Sequence, residues 1–452
     1  MKKALNWTIR IFVGLLVFCL ILIPFLFEKI DRTPYREMGY YKEMRAQLDT
    51  FQLDTIVENG AYFKAGWSRK NITPAYLPVM GGYGFRDKTT SIHDSVFVRA
   101  FVFDNGKNKA AFISVDLLIF PPVIEAQLRS LAKNMGYKAE NLYLSATHTH
   151  HAPGGWAEGV AGKVLAGNYN EQYVKQVVDA IISAIKEAEG TMEEAETGLG
   201  LFDGTNFVKN RLNMPDSEVD PWVRVLRIRK KSGKEAALIV YSAHSNCLKM
   251  TYTCLSGDYP ARMISQLEKA QKIEFAMYAA GMVGSHIPKQ TKKDIENEPF
   301  VNDYGDSLAK LINKGLDSIE LKPGNELCSA ILDLPLREAN LKISKDWRIK
   351  PWVFNGLFGA SHPKIKILKI NNIVFIGMPC DFSGELMKDF ETLSKEKNIQ
   401  LVITSFNGGY IGYVNVDKYY DEDKGEVRDM NWFGPYNQAY FTEIVQGILK
   451  KI

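Results

Sequence analysis

The sequence predicts an α/β fold: a single large mixed-sheet α/β domain with inserted hairpins, preceded by one N-terminal transmembrane helix. Three observations carry this reading. Strand-like and helix-like periodicities alternate from Ala61 to the C-terminus. Two strand pairs close on short turns, Ser232-Gly233 and Asn371-Asn372. Ile11 to Phe27 runs without a charge.

That apolar run is seventeen residues long, the short end of a bilayer span, and Trp7 extends it as an interfacial anchor. Lys2, Lys3 and Arg10 precede it, so residues 1–10 are expected in the cytoplasm and the body beyond the membrane, periplasmic or extracellular. The run ends Pro24-Phe-Leu-Phe27, with no small-residue cleavage site, which favours an uncleaved anchor over a signal peptide. Residues 28–60 read as a polar linker with a helix over Tyr35 to Phe51. Residues 61–452 read as the body.

Within the body, Ala110 to Ile119 reads as a strand, Pro122 to Met135 as a helix and Asn141 to Ala146 as a strand. Glu171 to Glu189 is helical, with Val174, Val177, Val178, Ile181, Ile182 and Ile185 at helical spacing. A hairpin covers Trp222–Arg229 and Glu235–Tyr241. Helix Arg262–Lys272, strand Phe275–Ala280 and helix Asp303–Ile319, capped by its Asp, come next. A second hairpin covers Ile365–Ile370 and Ile373–Met378. Helix Gly384–Glu396, strand Leu401–Ser405 and helix Gln438–Lys450 close the chain.

Composition narrows the function classes. Apolar content of 46% and charged content of 24% are globular values. A net charge of +4, with no Lys/Arg cluster among aromatics, gives nucleic acid no footprint. Five cysteines make no disulfide framework; Cys247 and Cys254 either pair in an oxidising compartment or remain free thiols. Oligomeric state is not legible.

Chemistry concentrates at strand ends, where α/β folds gather ligands. Three of the seven histidines fall in His148-Thr-His-His151. In an extended chain His148 and His150 share a face and His151 points away. Paired imidazoles at a strand end suit a metal; a polar turn is the alternative. His244, Ser285 with His286, Asp381, and Tyr410 with Tyr413 follow four further strands. His93 and Asp116 are either supports for such a site or core polar residues, and His362 is a loop residue. Trp347, Trp352, Val353, Phe354, Leu357 and Phe358 cluster around a proline and glycines. Core filling explains them, with a lid or membrane-dipping loop as the alternative.

From about Ala65 onward the chain resembles the catalytic domain of the neutral (non-lysosomal) ceramidase family. The residues are Ala65-Gly-Trp-Ser-Arg-Lys-Asn-Ile-Thr-Pro74 with Met80-Gly-Gly-Tyr83, Ser91-Ile-His-Asp94, His148-Thr-His150 with Pro153-Gly-Gly155, Asn210-Arg211, Ser256-Gly-Asp258, Asn407 to Val414, and Phe433-Gly-Pro435. The resemblance implies a zinc-dependent hydrolase of an N-acyl amide bond, with a lipid-type substrate. It implies zinc on His148, His244, Asp381 and Tyr413, with His150 and Arg211 beside the metal. His150 would relay a proton, and Arg211 or Tyr413 would stabilise the oxyanion. Three departures follow. Asp381 replaces the family's glutamate, with Glu385 a rival one turn on. The family's active-site serine falls on Ile287, two residues from Ser285, which leaves ceramide open as substrate. The family's C-terminal immunoglobulin-like domain has no counterpart here. The other readings are a metallohydrolase of another amide or ester, and a non-catalytic binding homologue.

Overall fold

The structure is a computed structural model that describes residues 7–8, 10–15, 23–53, 63–84, 86 and 88–452. Among the described residues, two sheets organise the body, where the sequence suggested one. The larger has eight strands. In chain order these are β1 (Lys64–Asn71), β2 (Phe97–Asp104), β3 (Lys109–Val115), β4 (Leu142–Ala146), β5 (Glu193–Asp203), β6 (Trp222–Lys230), β7 (Glu235–Tyr241) and β8 (Phe275–Ala280). Their order across the sheet is β8-β7-β6-β5-β1-β2-β3-β4. The two outer pairs, β3 with β4 and β7 with β8, are parallel, and the pairs between them are antiparallel. The smaller sheet holds β9 (Leu327–Asp333), β10 (Lys364–Ile370), β11 (Ile373–Gly377) and β12 (Gln400–Thr404); only β11 and β12 run parallel.

The sheets face each other across one apolar layer. Phe101, Phe112, Leu238 and Met277 from the larger meet Leu368, Phe375 and Val402 from the smaller. Both sheets carry helices on their outer faces, so their central strands are apolar on both sides. The larger sheet's outer face is covered by α2 (Pro122–Leu131), α4 (Glu171–Gly190), α5 (Asp258–Lys269) and α6 (Glu298–Gly315); the smaller sheet's by α1 (Gly39–Thr50), α8 (Lys388–Glu396) and α9 (Asn437–Lys451). Two short helices, α3 (Gly159–Ala166) and α7 (Pro351–Phe358), complete the set used below. The α4 stripe is buried except for the half-buried Ile182, and the Asn170 side chain accepts the Tyr173 N–H to open the helix. Helix α6 starts at Glu298, not Asp303: Pro299 presets the first turn, and the Asp303 carboxylate instead holds Thr291 and Lys292.

The expected transmembrane helix is corrected. Among the described residues no helix is long and apolar enough to cross a membrane. Residues 16–22 of the proposed span lie outside the described residues. Its last residue, Phe27, already belongs to a strand: Phe27–Lys29 pairs antiparallel with Trp347–Ile349, and Leu26 accepts the Lys350 N–H. The membrane anchoring and the placement across a bilayer lose their support with it.

Candidate metal centre

The parallel strands of both sheets end at one place, and the loops leaving them carry the polar cluster. After β4, His148 takes a left-handed backbone (φ 62°). The extended-chain premise therefore does not hold, although its consequence does: His148 and His150 meet, with their Nε2 atoms 3.2 Å apart. His151 turns away, its Nε2 lying 3.1 Å from the carbonyls of Lys249 and Tyr252 and 3.0 Å from the Arg86 guanidinium. His244 follows β7, Asp381 follows β11, and Tyr410 and Tyr413 follow β12. The larger sheet thus supplies imidazoles, and the smaller sheet a carboxylate and phenols.

Hydrogen bonds fix the state of the two central imidazoles. His148 Nδ1–H donates to the Leu118 carbonyl at 2.6 Å, and His244 Nδ1–H to those of Val283 and His286 at 2.8 and 3.0 Å. A neutral imidazole with Nδ1–H keeps a bare lone pair on Nε2. Burial, against the bond to Leu118, takes His148 down to about 3. Burial, then the neighbouring His148 and Arg211, takes His244 well below the ordinary histidine value. Both Nε2 atoms lie 3.4 Å from Asp381 Oδ1, which accepts no hydrogen bond among the described residues. Two imidazole nitrogens and a carboxylate oxygen converge there, with Arg211 and Tyr413 beside His244 and His150 beside His148. Buried acceptors facing one another offer a cation a place to bind.

The remaining groups close around that point. Tyr413 Oη lies 3.1 Å from His244 Nε2, and Arg211 Nη1 lies 3.3 Å from both. Glu426 holds the other edge of Arg211, Nε to Oε1 at 3.2 Å. Tyr410 donates to Asp381 Oδ2 at 2.8 Å. Burial pushes Asp381 up to about 7, opposed by that bond and by Arg211. Proximity alone groups His148, His150 and His244, whose ligand atoms all lie within 4.8 Å of one another. Asp381 adjoins His148 and His244, and Tyr413 adjoins His244, so His148 and His244 belong to either donor set. Neutral imidazole nitrogens, a carboxylate and a phenol are the hard-to-borderline donors zinc takes.

Above the histidines, the Met80-Gly-Gly-Tyr83 turn lies on the loop after β4. Gly82 takes φ 134° with its Cα hydrogen against His150; a Cβ there would sit 3.1 Å from the His150 ring. Tyr83 packs on His150, ring centroids 4.5 Å apart, and Arg86 donates to the His150 carbonyl. Arg86, in a loop, and Glu426, in the short helix Gly425–Arg428, carry no sequence signal beyond being single charged residues, whereas Tyr83 and Tyr410 lie in stretches the sequence singles out.

Other candidates fall outside. Glu385 accepts the Glu218 N–H at 3.1 Å and lies near Tyr419, so Asp381 is the carboxylate facing the histidines. Asp116 accepts Phe97 N–H and pairs with Arg99; His93 pairs with Asp94. Ser285 is buried. His286 Nε2 accepts the Asp220 N–H at 2.8 Å, so its Nδ1 carries the proton and donates to Ser285 Oγ. That tautomer makes His286 no base for Ser285, whose hydroxyl continues to Ser383. Among the described residues Cys247, Cys254, Cys328 and Cys380 form no disulfide.

A family model described as neutral/alkaline non-lysosomal ceramidase, N-terminal, matches residues 63–294, more than half of the chain. The chain belongs to this family. The neutral ceramidase of Pseudomonas aeruginosa is 27% identical over 214 residues, 43% of this chain and 32% of that protein. Neutral ceramidase A of Dictyostelium discoideum is 29% identical over 198 residues, 40% of this chain and 28% of that protein. The matched stretches thus span about a third or less of these relatives' length. The crystal structure of the Pseudomonas aeruginosa neutral ceramidase superposes with a TM-score of 0.71 at 20% identity, covering 87% of this chain and 75% of that one. A ceramidase complexed with C2 superposes with a TM-score of 0.72. The mixed α/β fold is the one seen in neutral ceramidase.

Proposed function

We propose that the chain is a zinc-dependent amidohydrolase whose substrate is a ceramide-like lipid amide. One observation carries the reading: His148 Nε2 and His244 Nε2 each lie 3.4 Å from Asp381 Oδ1, beside Tyr413 and Arg211. His148, His244, Asp381 and Tyr413 would hold the zinc, which when bound supplies a Lewis acid that polarises an amide carbonyl and lowers the pKa of water. The curated relatives named neutral ceramidase support the substrate class.

The chain's own residues do the rest. His150 is held neutral, well below the usual histidine range, by burial and by the adjoining His148. It can accept a proton from the attacking water and return it to the departing nitrogen. Arg211, fixed by Glu426, presents Nη1 where charge develops on the carbonyl oxygen, and Tyr413 adds a hydroxyl. Tyr410 orients Asp381 through its second oxygen.

A second reading, hydrolysis of an amide other than ceramide, is favoured by the Ser285 tautomer chain described above. With Ile287 at the matching position, no free serine hydroxyl is offered there. Metal analysis of the purified chain, joined to a screen of N-acyl amides with and without chelator, tests both. One zinc per chain and chelator-sensitive release of amine are expected. A metal-free protein that gains no turnover on adding zinc sinks the proposal.

A further inference from the structure

The segment Val283-Gly-Ser-His286 holds three groups of the centre at once. His244 donates its Nδ1–H to the Val283 and His286 carbonyls, and its backbone N–H to the His286 carbonyl at 3.1 Å. The Arg211 N–H donates to the Ser285 carbonyl at 2.8 Å, where His286–Pro288 pairs antiparallel with Val208–Asn210. The Gly284 N–H donates to the carbonyl of Phe382, the residue after Asp381. Four consecutive residues therefore carry the supports of an imidazole, a guanidinium and a carboxylate. The His286 ring, fully buried, keys this segment to the interior. Its Nε2 accepts the Asp220 N–H, and Asp220 is itself held by Arg224 at 2.7 and 3.1 Å and by the Ser242 hydroxyl at 2.7 Å. On its other edge Nδ1–H donates to Ser285 Oγ at 2.8 Å, and the Ser285 hydroxyl donates to Ser383 Oγ at 2.8 Å. The Ser383 N–H in turn donates to the Val414 carbonyl at 3.0 Å, next to Tyr413. The ring has no room to turn, since a Cβ on Gly384 would stand 2.4 Å from its Cε1.

We propose that His286 is a positioning residue of the metal centre: its ring, bridged through Ser285 to Ser383, sets the spacing between His244 and Asp381. The proposal rests on the zinc reading and deepens it. His244 follows β7 of the larger sheet and Asp381 follows β11 of the smaller, so something must fix one against the other. The run from the Asp220 N–H through the imidazole to two hydroxyls crosses that seam, with each donor facing one acceptor. A displacement at either end passes to the carbonyls that aim the His244 ring and to the strand Asp381–Phe382. The Ser285 hydroxyl is used as a bridge and not as a nucleophile.

The test uses the full chain with Ser285→Ala, Ser383→Ala and both together, and reads zinc affinity by chelator competition. Each single change should weaken zinc binding about tenfold. The double variant should bind no more weakly than Ser285→Ala, because both changes remove the same bridge; additive losses count against the proposal. Cobalt-loaded variants should show shifted visible bands, since those bands follow the arrangement of the donors. A merely structural role would lower the urea midpoint of the metal-free chain and leave affinity and bands as in the wild type, which overturns the proposal. His286→Gln keeps an acceptor for the Asp220 N–H but offers no donor to Ser285, so it should match Ser285→Ala; wild-type affinity there refutes the role of the ring. If His286→Gln does not fold, the serine variants decide alone. Should the wild type bind neither metal, the zinc reading fails and the positioning is judged on the metal-free chain. The proton resonance of His244 Nδ1–H, assigned by its loss in His244→Ala, should then move in Ser285→Ala. An unmoved resonance overturns the proposal.

Discussion

Tyr410→Phe isolates the bond that aims Asp381. The ring would stay: it packs between Phe406 and Trp432 at centroid distances of 6.3 and 5.7 Å, and phenylalanine fills that space. Only the hydroxyl leaves, and with it the 2.8 Å bond to Asp381 Oδ2. A hydrogen bond to a buried carboxylate contributes about 1.5–3 kcal/mol. Its other oxygen, Oδ1, faces His148 and His244, so the loss falls on the orientation of the donor atom. At about 1.4 kcal/mol per decade, zinc affinity should drop roughly 10–100-fold. Chelator competition on the full chain measures this directly. The zinc-induced rise in unfolding free energy should shrink by about 1.4 kcal/mol per decade of lost affinity. Unchanged affinity would refute the reasoning. So would a fall in metal-free stability well beyond about 3 kcal/mol, since that marks a packing defect and not one lost hydrogen bond.

His148→Ala and His244→Ala should each abolish zinc binding in metal analysis, whereas His151→Ala should retain it, because His151 Nε2 faces Arg86 and two carbonyls outside the cluster. A metal-free His151→Ala chain counts against the assignment. Asp258 predicts a pH dependence away from the centre. Its carboxylate accepts the N–H groups of Cys247, Leu248 and Tyr259, yet burial, with nearby Asp94, pushes it up to about 6. Tyr83 and the Cys247 thiol also face it. A folded-state value above the unfolded one means the native chain binds the extra proton. Its contribution is complete below about pH 4 and is lost as pH rises through about 6, a change of about 3 kcal/mol. Urea unfolding between those values should show this slope, reduced in Asp258→Asn; an identical slope in the variant excludes Asp258 as its source.

The candidate centre was largely legible because α/β architecture puts ligands after strands. His148, His244, Asp381 and Tyr413 could be picked out as polar residues following apolar runs. The local geometry was not. His148 sits in a left-handed turn that periodicity cannot register. Arg86 and Glu426 act through contacts with partners far away in sequence, which no spacing rule reaches. Strand β5 escaped because its Glu-Glu-Ala-Glu-Thr-Gly-Leu-Gly start lacks β-branched weight and is held by its pairing with β6. The split into two sheets was hidden for a physical reason. Strands covered on both faces read as uniform apolar runs, and such runs do not say which neighbour they join. The α7 aromatics show the converse: their apolar composition suggested core, but their place at the end of a short surface helix leaves most of them uncovered.

The donor set is divided between the sheets, and this ties its chemistry to their packing. Residues 63–294, matched by the family model, carry His148, His150, His244 and Arg211; Asp381, Tyr410 and Tyr413 come from the second sheet. The first half therefore lacks the carboxylate and both phenols of the centre. The seam between the halves is stitched beside the site. Val283 bridges Ser383, and Gly284 donates its N–H to Phe382 at 2.8 Å. Gly284 lies so close that an added Cβ would stand 2.4 Å from the Asp381 carbonyl oxygen. Backbone cannot yield there as a flexible side chain would, so a side chain at position 284 would push Asp381 from the histidines. Close sheet packing thus brings a carboxylate from one sheet to within 3.4 Å of two imidazoles from the other.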